Sequence, residues 1–157
     1  MTNDSMKPGL EFVFELEARL AEPMVVGDTY EGRRRVIPIL DGSFDGPELR
    51  GLLEPAGAAD WQYTRGDNVT RVEAVYALRT DDGVLIQVRN RGLRHGPEAV
   101  MQRLAAGAEV DPKEYYFRAV PEFTAPRGRY QWLNESLFLC SGARFPQAVR
   151  LWFYRVL

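Results

Sequence analysis

The sequence predicts an all-β domain: a closed antiparallel barrel of about eight strands with one short inserted helix. Three observations point there. Short runs in which apolar and polar residues alternate recur along the whole chain, clusters of turn-forming residues separate them, and a single stretch carries helical spacing. Residues 1–9 are expected to be a flexible N-terminus ahead of one domain over residues 10–157.

The first run, Leu10–Leu20, sets Phe12, Phe14, Leu16 and Ala18 against Glu11, Val13, Glu15 and Glu17, the period of two that a half-buried strand requires. Arg34–Leu40 is the second, closed by Asp41-Gly42-Ser43-Phe44-Asp45-Gly46-Pro47. Glu48–Leu53 is the third, and Trp61–Tyr63 extends it past a bulge at Pro55-Ala56-Gly57. Val69–Arg79 and Val84–Asn90 flank the hairpin signal Asp81-Asp82-Gly83. Tyr115–Phe123, Tyr130–Ser141 and Ala148–Leu157 complete the set. The exception is Pro97–Gly107, with proline in a first-turn position and glycine as a stop. It predicts a helix over residues 97–106 that turns Val100, Met101 and Leu104 toward one end of the barrel. Antiparallel strands joined by tight turns must cover their edges, and closure removes them. A barrel of about eight strands has an interior wide enough for side chains or one small ligand. A two-sheet sandwich is the alternative architecture.

Composition narrows the functional classes. At 45% hydrophobic and 11% aromatic residues the chain can bury a core, which excludes wholesale disorder. A formal charge of −2 argues against nucleic acid as a partner. One His and one Cys exclude an internal disulfide and an ordinary nitrogen–sulfur metal site, so neither metal nor cofactor is expected. No Gly-x-Ser-x-Gly elbow occurs, and no glycine-rich loop leads into a helix. The N-terminus lacks a signal peptide's apolar stretch, and the longest apolar run is far short of a membrane span. The expectation is a cytoplasmic protein with a free thiol at Cys140 and no membrane partner; a homo-oligomer is left open. Arginine outnumbers lysine 18 to 2, and residues 61–157 carry 14 bases against 10 acids. Arginine is the side chain best shaped to hold a carboxylate through two parallel hydrogen bonds.

Several segments, taken in order, resemble a known family. They are Gly32-Arg33-Arg34-Arg35-Val36-Ile37-Pro38-Ile39, Gly46-Pro47-Glu48-Leu49-Arg50-Gly51 and Asp60-Trp61-Gln62, followed by Asp81-Asp82-Gly83 and Asn90-Arg91-Gly92-Leu93-Arg94-His95-Gly96-Pro97. Tyr115-Tyr116-Phe117-Arg118 and Tyr130-Gln131-Trp132-Leu133-Asn134 continue the likeness. The ordered set resembles the domain-of-unknown-function family thirty-two thirty-seven over nearly the whole chain. The resemblance implies a calycin-like β-barrel and supplies no reaction. Two positions depart from the family pattern: Asn68 stands where a glycine is usual after Asp67, and Val75 where an arginine is usual before Tyr76. If that arginine enters the cavity, the pocket here has lost a cation.

The candidate site is a set of polar residues embedded in the strands beside aromatics, because a lumen collects alternate residues from every strand. Asp60 and Glu73 are the candidate proton-transfer groups, since a carboxylate desolvated in a lumen has a raised pKa. Arg118 is the candidate partner for a substrate carboxylate or enolate. Asp67, Asn90, Tyr116, Tyr130, Trp132 and Asn134 are the candidate ligand contacts, with Tyr130, Trp132 and Asn134 on one strand face. The implied function is binding of a small apolar or aromatic molecule, with cofactor-independent isomerase, lyase or hydratase chemistry on it. A carrier or sensor without chemistry is the alternative reading.

Overall fold

The computed structural model describes residues 4–157; the expected flexible stretch, residues 1–9, lies partly outside them. Nine strands form, in the order β1 (Leu10–Leu20), β2 (Met24–Thr29), β3 (Gly32–Asp45), β4 (Arg50–Thr64), β5 (Thr70–Thr80), β6 (Leu85–His95), β7 (Tyr116–Thr124), β8 (Phe138–Phe145) and β9 (Ala148–Val156). All neighbours are antiparallel, and β1 pairs with both β9 and β3, which closes an eight-strand barrel. The short β2 is the strand the sequence reading did not anticipate. Pro23 ends the preceding run, and β2 then pairs with the first half of β3 while β1 takes the second half. Two short strands thus share one long neighbour.

Alternation holds in most strands, and its exceptions have causes. In β1, Phe14, Leu16, Ala18 and Leu20 are buried as expected. A bulge between Phe12 and Phe14 puts Val13 in the core as well and turns Phe12 outward. Another irregularity lies between Glu54 and Ala59 of β4, as Pro55-Ala56-Gly57 suggests. Inside the closed sheet, Phe14 stacks on Phe153 at 4.3 Å between centroids and meets Phe44 edge-on at 5.4 Å. Phe123 meets Phe138 edge-on at 4.8 Å. Five phenylalanines from β1, β3, β7, β8 and β9 therefore fill the middle of the barrel.

The two ends are closed differently. Helix α1 (Glu98–Ala105), close to its expected span, joins β6 to β7 and rests Val100, Met101 and Leu104 against the core. No residue of it is fully buried, so the helix end is loosely covered. At the opposite end, residues 131–134 form a single 3-10 turn rather than the expected strand from Tyr130. Asn134 explains the difference: its Oδ1 accepts from Ala125 N at 2.9 Å and its Nδ2 donates to Ala125 O at 3.0 Å. A side chain that takes up backbone groups in this way competes with a strand ladder. Leu133 is buried beneath the turn, and strand pairing resumes only at Phe138.

Candidate functional site

Register places the site. Asp60 of β4 lies level with Ala74, Asn90 and Pro121 on β5, β6 and β7. The next row toward α1 runs Gln62, Val72, Gly92, Ala119 and Cys140. The row beyond it contains Thr64, Thr70, Arg94 and Phe117. Ala74, Gly92 and Ala119 are small, so the lumen at this end has room for long polar side chains. Gly142 matters in the same way, because an added Cβ would sit 2.7 Å from the Phe117 ring. Phe117 in turn supports the Arg94 guanidinium, whose centre lies 5.4 Å from its ring centroid.

Gln62 organises the polar cluster. It is 1% exposed, and its Oε1 accepts from Arg35 Nε at 3.1 Å and Nη2 at 3.0 Å. Those bonds turn its amide nitrogen toward Asp60, to which it donates at 2.6 Å. Arg94 Nη2 reaches the same Oε1 at a longer 3.4 Å. Four shielded atoms of the lumen have no hydrogen-bond partner: Asp60 Oδ1, Asn90 Oδ1, the Tyr76 hydroxyl and Arg94 Nε. Arg144 shares strand parity with the buried Cys140 and Gly142 of β8, and its backbone N–H donates to the Tyr115 hydroxyl at 2.9 Å.

Burial governs the electrostatics. It pushes the Asp60 carboxyl above the ordinary carboxylate range, with the Gln62 hydrogen bond and the charges of Arg94 and Arg144 pulling it back. Arg94 is brought down to about 10 by burial, opposed by Asp60 and reinforced by Arg144 and Arg35. Burial likewise lowers Arg35 and Arg144. One row deeper, burial raises the Tyr76 phenol, helped by Cys140 and Asp60. The Cys140 thiol is pushed up to about 12 by burial, which makes it a poor nucleophile at neutral pH. No group of three or more His, Cys, Asp or Glu residues is arranged to hold a metal ion among the described residues.

The residues singled out from the sequence separate into four places. Asp60 and Asn90 are in the lumen, and Asn90 is 4% exposed. Glu73, Tyr116 and Arg118 are on the outer face, along a groove of about 970 Å³ that also includes Trp61 and Arg91. That groove lies where β7 and β8 share only two residue pairs. Glu73 pairs there with Arg89 at 2.6 Å, and Arg118 stacks over Tyr116 at 5.7 Å while donating to Phe117 O at 2.9 Å. Asp67 belongs to the β4–β5 turn, bonded to Arg65 at 2.7 Å. The remaining three sit at the end opposite α1, where the Tyr130 hydroxyl donates to Asp82 at 2.7 Å, Trp132 packs near Phe138, and Asn134 fixes its turn.

Tyr130, Trp132 and Asn134 therefore do not share a strand face, and neither they nor Arg118 lie opposite Asp60. Glu73 has the opposite strand parity to Asp60's neighbour Ala74, and the 3-10 turn removes Tyr130, Trp132 and Asn134 from any strand face. The lost-cation idea also falls, because Val75 projects outward and is 36% exposed. Asn68 adopts φ 65°, so it takes the left-handed conformation for which a glycine is the usual choice. Sequence reasoning missed Arg35, Arg94 and Arg144. The signal was available in β6, where Ile86, Val88, Asn90, Gly92 and Arg94 share one parity.

Comparison with known proteins places this geometry. The UPF0311 protein RPA1785 of Rhodopseudomonas palustris is 40% identical over 154 residues, covering 97% of this chain and all of the relative. Its crystal structure superposes with a TM-score of 0.93 at 37% identity, over 98% of this chain and 100% of that one. A β-barrel-like protein from Acinetobacter baumannii superposes at 0.84 with 34% identity, over 99% and 100% of the two chains. An enzyme from Penicillium herquei superposes at 0.72 over the full length of both chains, with 16% identity, a likeness of fold alone. Residues 8–156 match the family described as "Protein of unknown function (DUF3237)", and the chain belongs to that family.

Proposed function

We propose that the protein is a cofactor-independent enzyme that moves a proton on a small organic molecule at the helix end of its barrel. The observation that carries this reading is Asp60: a shielded carboxyl with one oxygen fixed by Gln62 and the other unpartnered. A carboxyl of raised pKa suits general acid and base work near neutral pH. Here Asp60 takes a proton from carbon beside a carbonyl, and charge developing on the carbonyl oxygen faces the arginines. Returning the proton to a second carbon completes an isomerisation; loss or addition of water across the same bond gives lyase or hydratase chemistry. A cytoplasmic location belongs to the same proposal.

The test is incubation of the protein with a fractionated small-molecule extract in D2O, followed by mass spectrometry. Wild type is expected to introduce deuterium into at least one compound, or to change one by the mass of water, and Asp60→Asn to do neither. A compound retained by the native protein without either change would replace catalysis with carriage.

A further inference from the structure

We propose that Arg35, Arg94 and Arg144 form a binding site for the carboxylate of a small organic acid, which makes the substrate class anionic. The inference rests on the reading of Asp60 above and adds to it what must accompany the proton-transfer group. Arg35 and Arg94 meet on the Gln62 oxygen beside Asp60, Arg144 of β8 acts on both through its charge, and burial holds all three down. Arg35 and Arg144 lower Arg94, and Arg35 lowers Arg144, so the cations repel one another. Burying excess positive charge costs stability unless an anion compensates it.

Hydrogen bonding points the same way. Arg94 is 5% exposed, yet its Nε has no acceptor and its Nη2 makes only the 3.4 Å contact with Gln62. A buried guanidinium with unused donors is a site awaiting an acceptor. Gln62 separates Arg35 from Asp60 by standing between them, its carbonyl on the arginine and its amide on the carboxylate. The positive field is therefore not cancelled by a direct ion pair at Asp60. Arg35 and Arg144 are half-buried, so the cluster is not sealed from solvent. The planar guanidinium fork matches a planar carboxylate.

The experiment is a titration of 15N-labelled protein at constant ionic strength, following the arginine side-chain Nε–H resonances. Sodium benzoate is expected to shift Arg94 and its two neighbours saturably, while benzamide, the neutral analogue, leaves them in place. Arg144→Met, at the half-buried mouth, should weaken benzoate by about 10-fold or more, the loss expected for a charge-assisted hydrogen bond. Arg118→Met, on the outer groove, should change nothing. Should Arg94→Met fail to fold, Arg144→Met and Arg35→Met carry the test. Shifts confined to Arg91 and Arg118 of the outer groove, inorganic phosphate binding more tightly than benzoate, or equal responses to benzoate and benzamide would each overturn the assignment. Asp60→Asn separates the two readings. It should still bind benzoate, so retained binding without deuterium transfer by wild type rejects the catalytic reading alone. Deuterium transfer without benzoate binding rejects the carboxylate site alone.

Discussion

Asp60 and Cys140 show what burial does to two ionisable groups in one lumen. The folded-state pKa of Asp60 is raised by burial, so the folded protein holds this proton to higher pH than the unfolded chain does. Stability must then fall as pH rises from the ordinary carboxylate pKa, about 4, through the elevated one. Asp60→Asn removes that penalty while keeping the side chain's shape. Urea denaturation of both proteins between about pH 4 and pH 8 should show the variant gaining on wild type as pH rises; a constant difference would show that Asp60 titrates normally. Cys140, 1% exposed and pushed up to about 12, should resist iodoacetamide in the native state and react once unfolded. Stoichiometric labelling of the folded protein within minutes would contradict that. At this scale the sequence was legible for Asp60 and Asn90 and silent on Gln62's role. A glutamine between two polar strands acquires its orientation only from the arginine and aspartate it touches.

At the scale of elements, strand parity and turn chemistry decided which readings survived. Alternation located the strands and the position of α1, because period and punctuation are local properties. It did not locate β2, a run whose partner is half of a longer strand, nor the bulge that turns Phe12 outward. The stretch from Tyr130 is the plainest case. Its Tyr-x-Trp-x-Asn spacing has strand parity, yet Asn134 ties the chain into a turn that caps the barrel. Tyr130 anchors that cap through its bond to Asp82. Tyr130→Phe should therefore lower the denaturation midpoint, though by less than losing a buried charged hydrogen bond would, because Asp82 is open to solvent. Chemical denaturation checks it, and an unchanged midpoint would show that the cap is held by Leu133 alone.

For the whole molecule, the barrel divides into an apolar middle that holds the fold and a polar end that holds the candidate site. Phe14 is fully buried among Phe44, Phe123 and Phe153, so Phe14→Ala should cost about 3–5 kcal/mol. Trp132 packs only partly against the core and lies 5.8 Å from Arg155, so Trp132→Ala should cost distinctly less. Equal losses would mean that the cap and the core unfold as one unit with equal packing. Closure itself was legible from strand number and edge avoidance. Which carboxylates face inward was not, because one bulge or one residue of register exchanges lumen for surface. That exchange separates Asp60, in the lumen, from Glu73, on the outer face. Deuterium transfer from D2O, compared for wild type, Asp60→Asn and Glu73→Gln on the same extract, tests it most directly. The account predicts transfer by wild type and Glu73→Gln and none by Asp60→Asn. Transfer retained by Asp60→Asn, or lost in Glu73→Gln, would contradict it and move the chemistry to the outer groove.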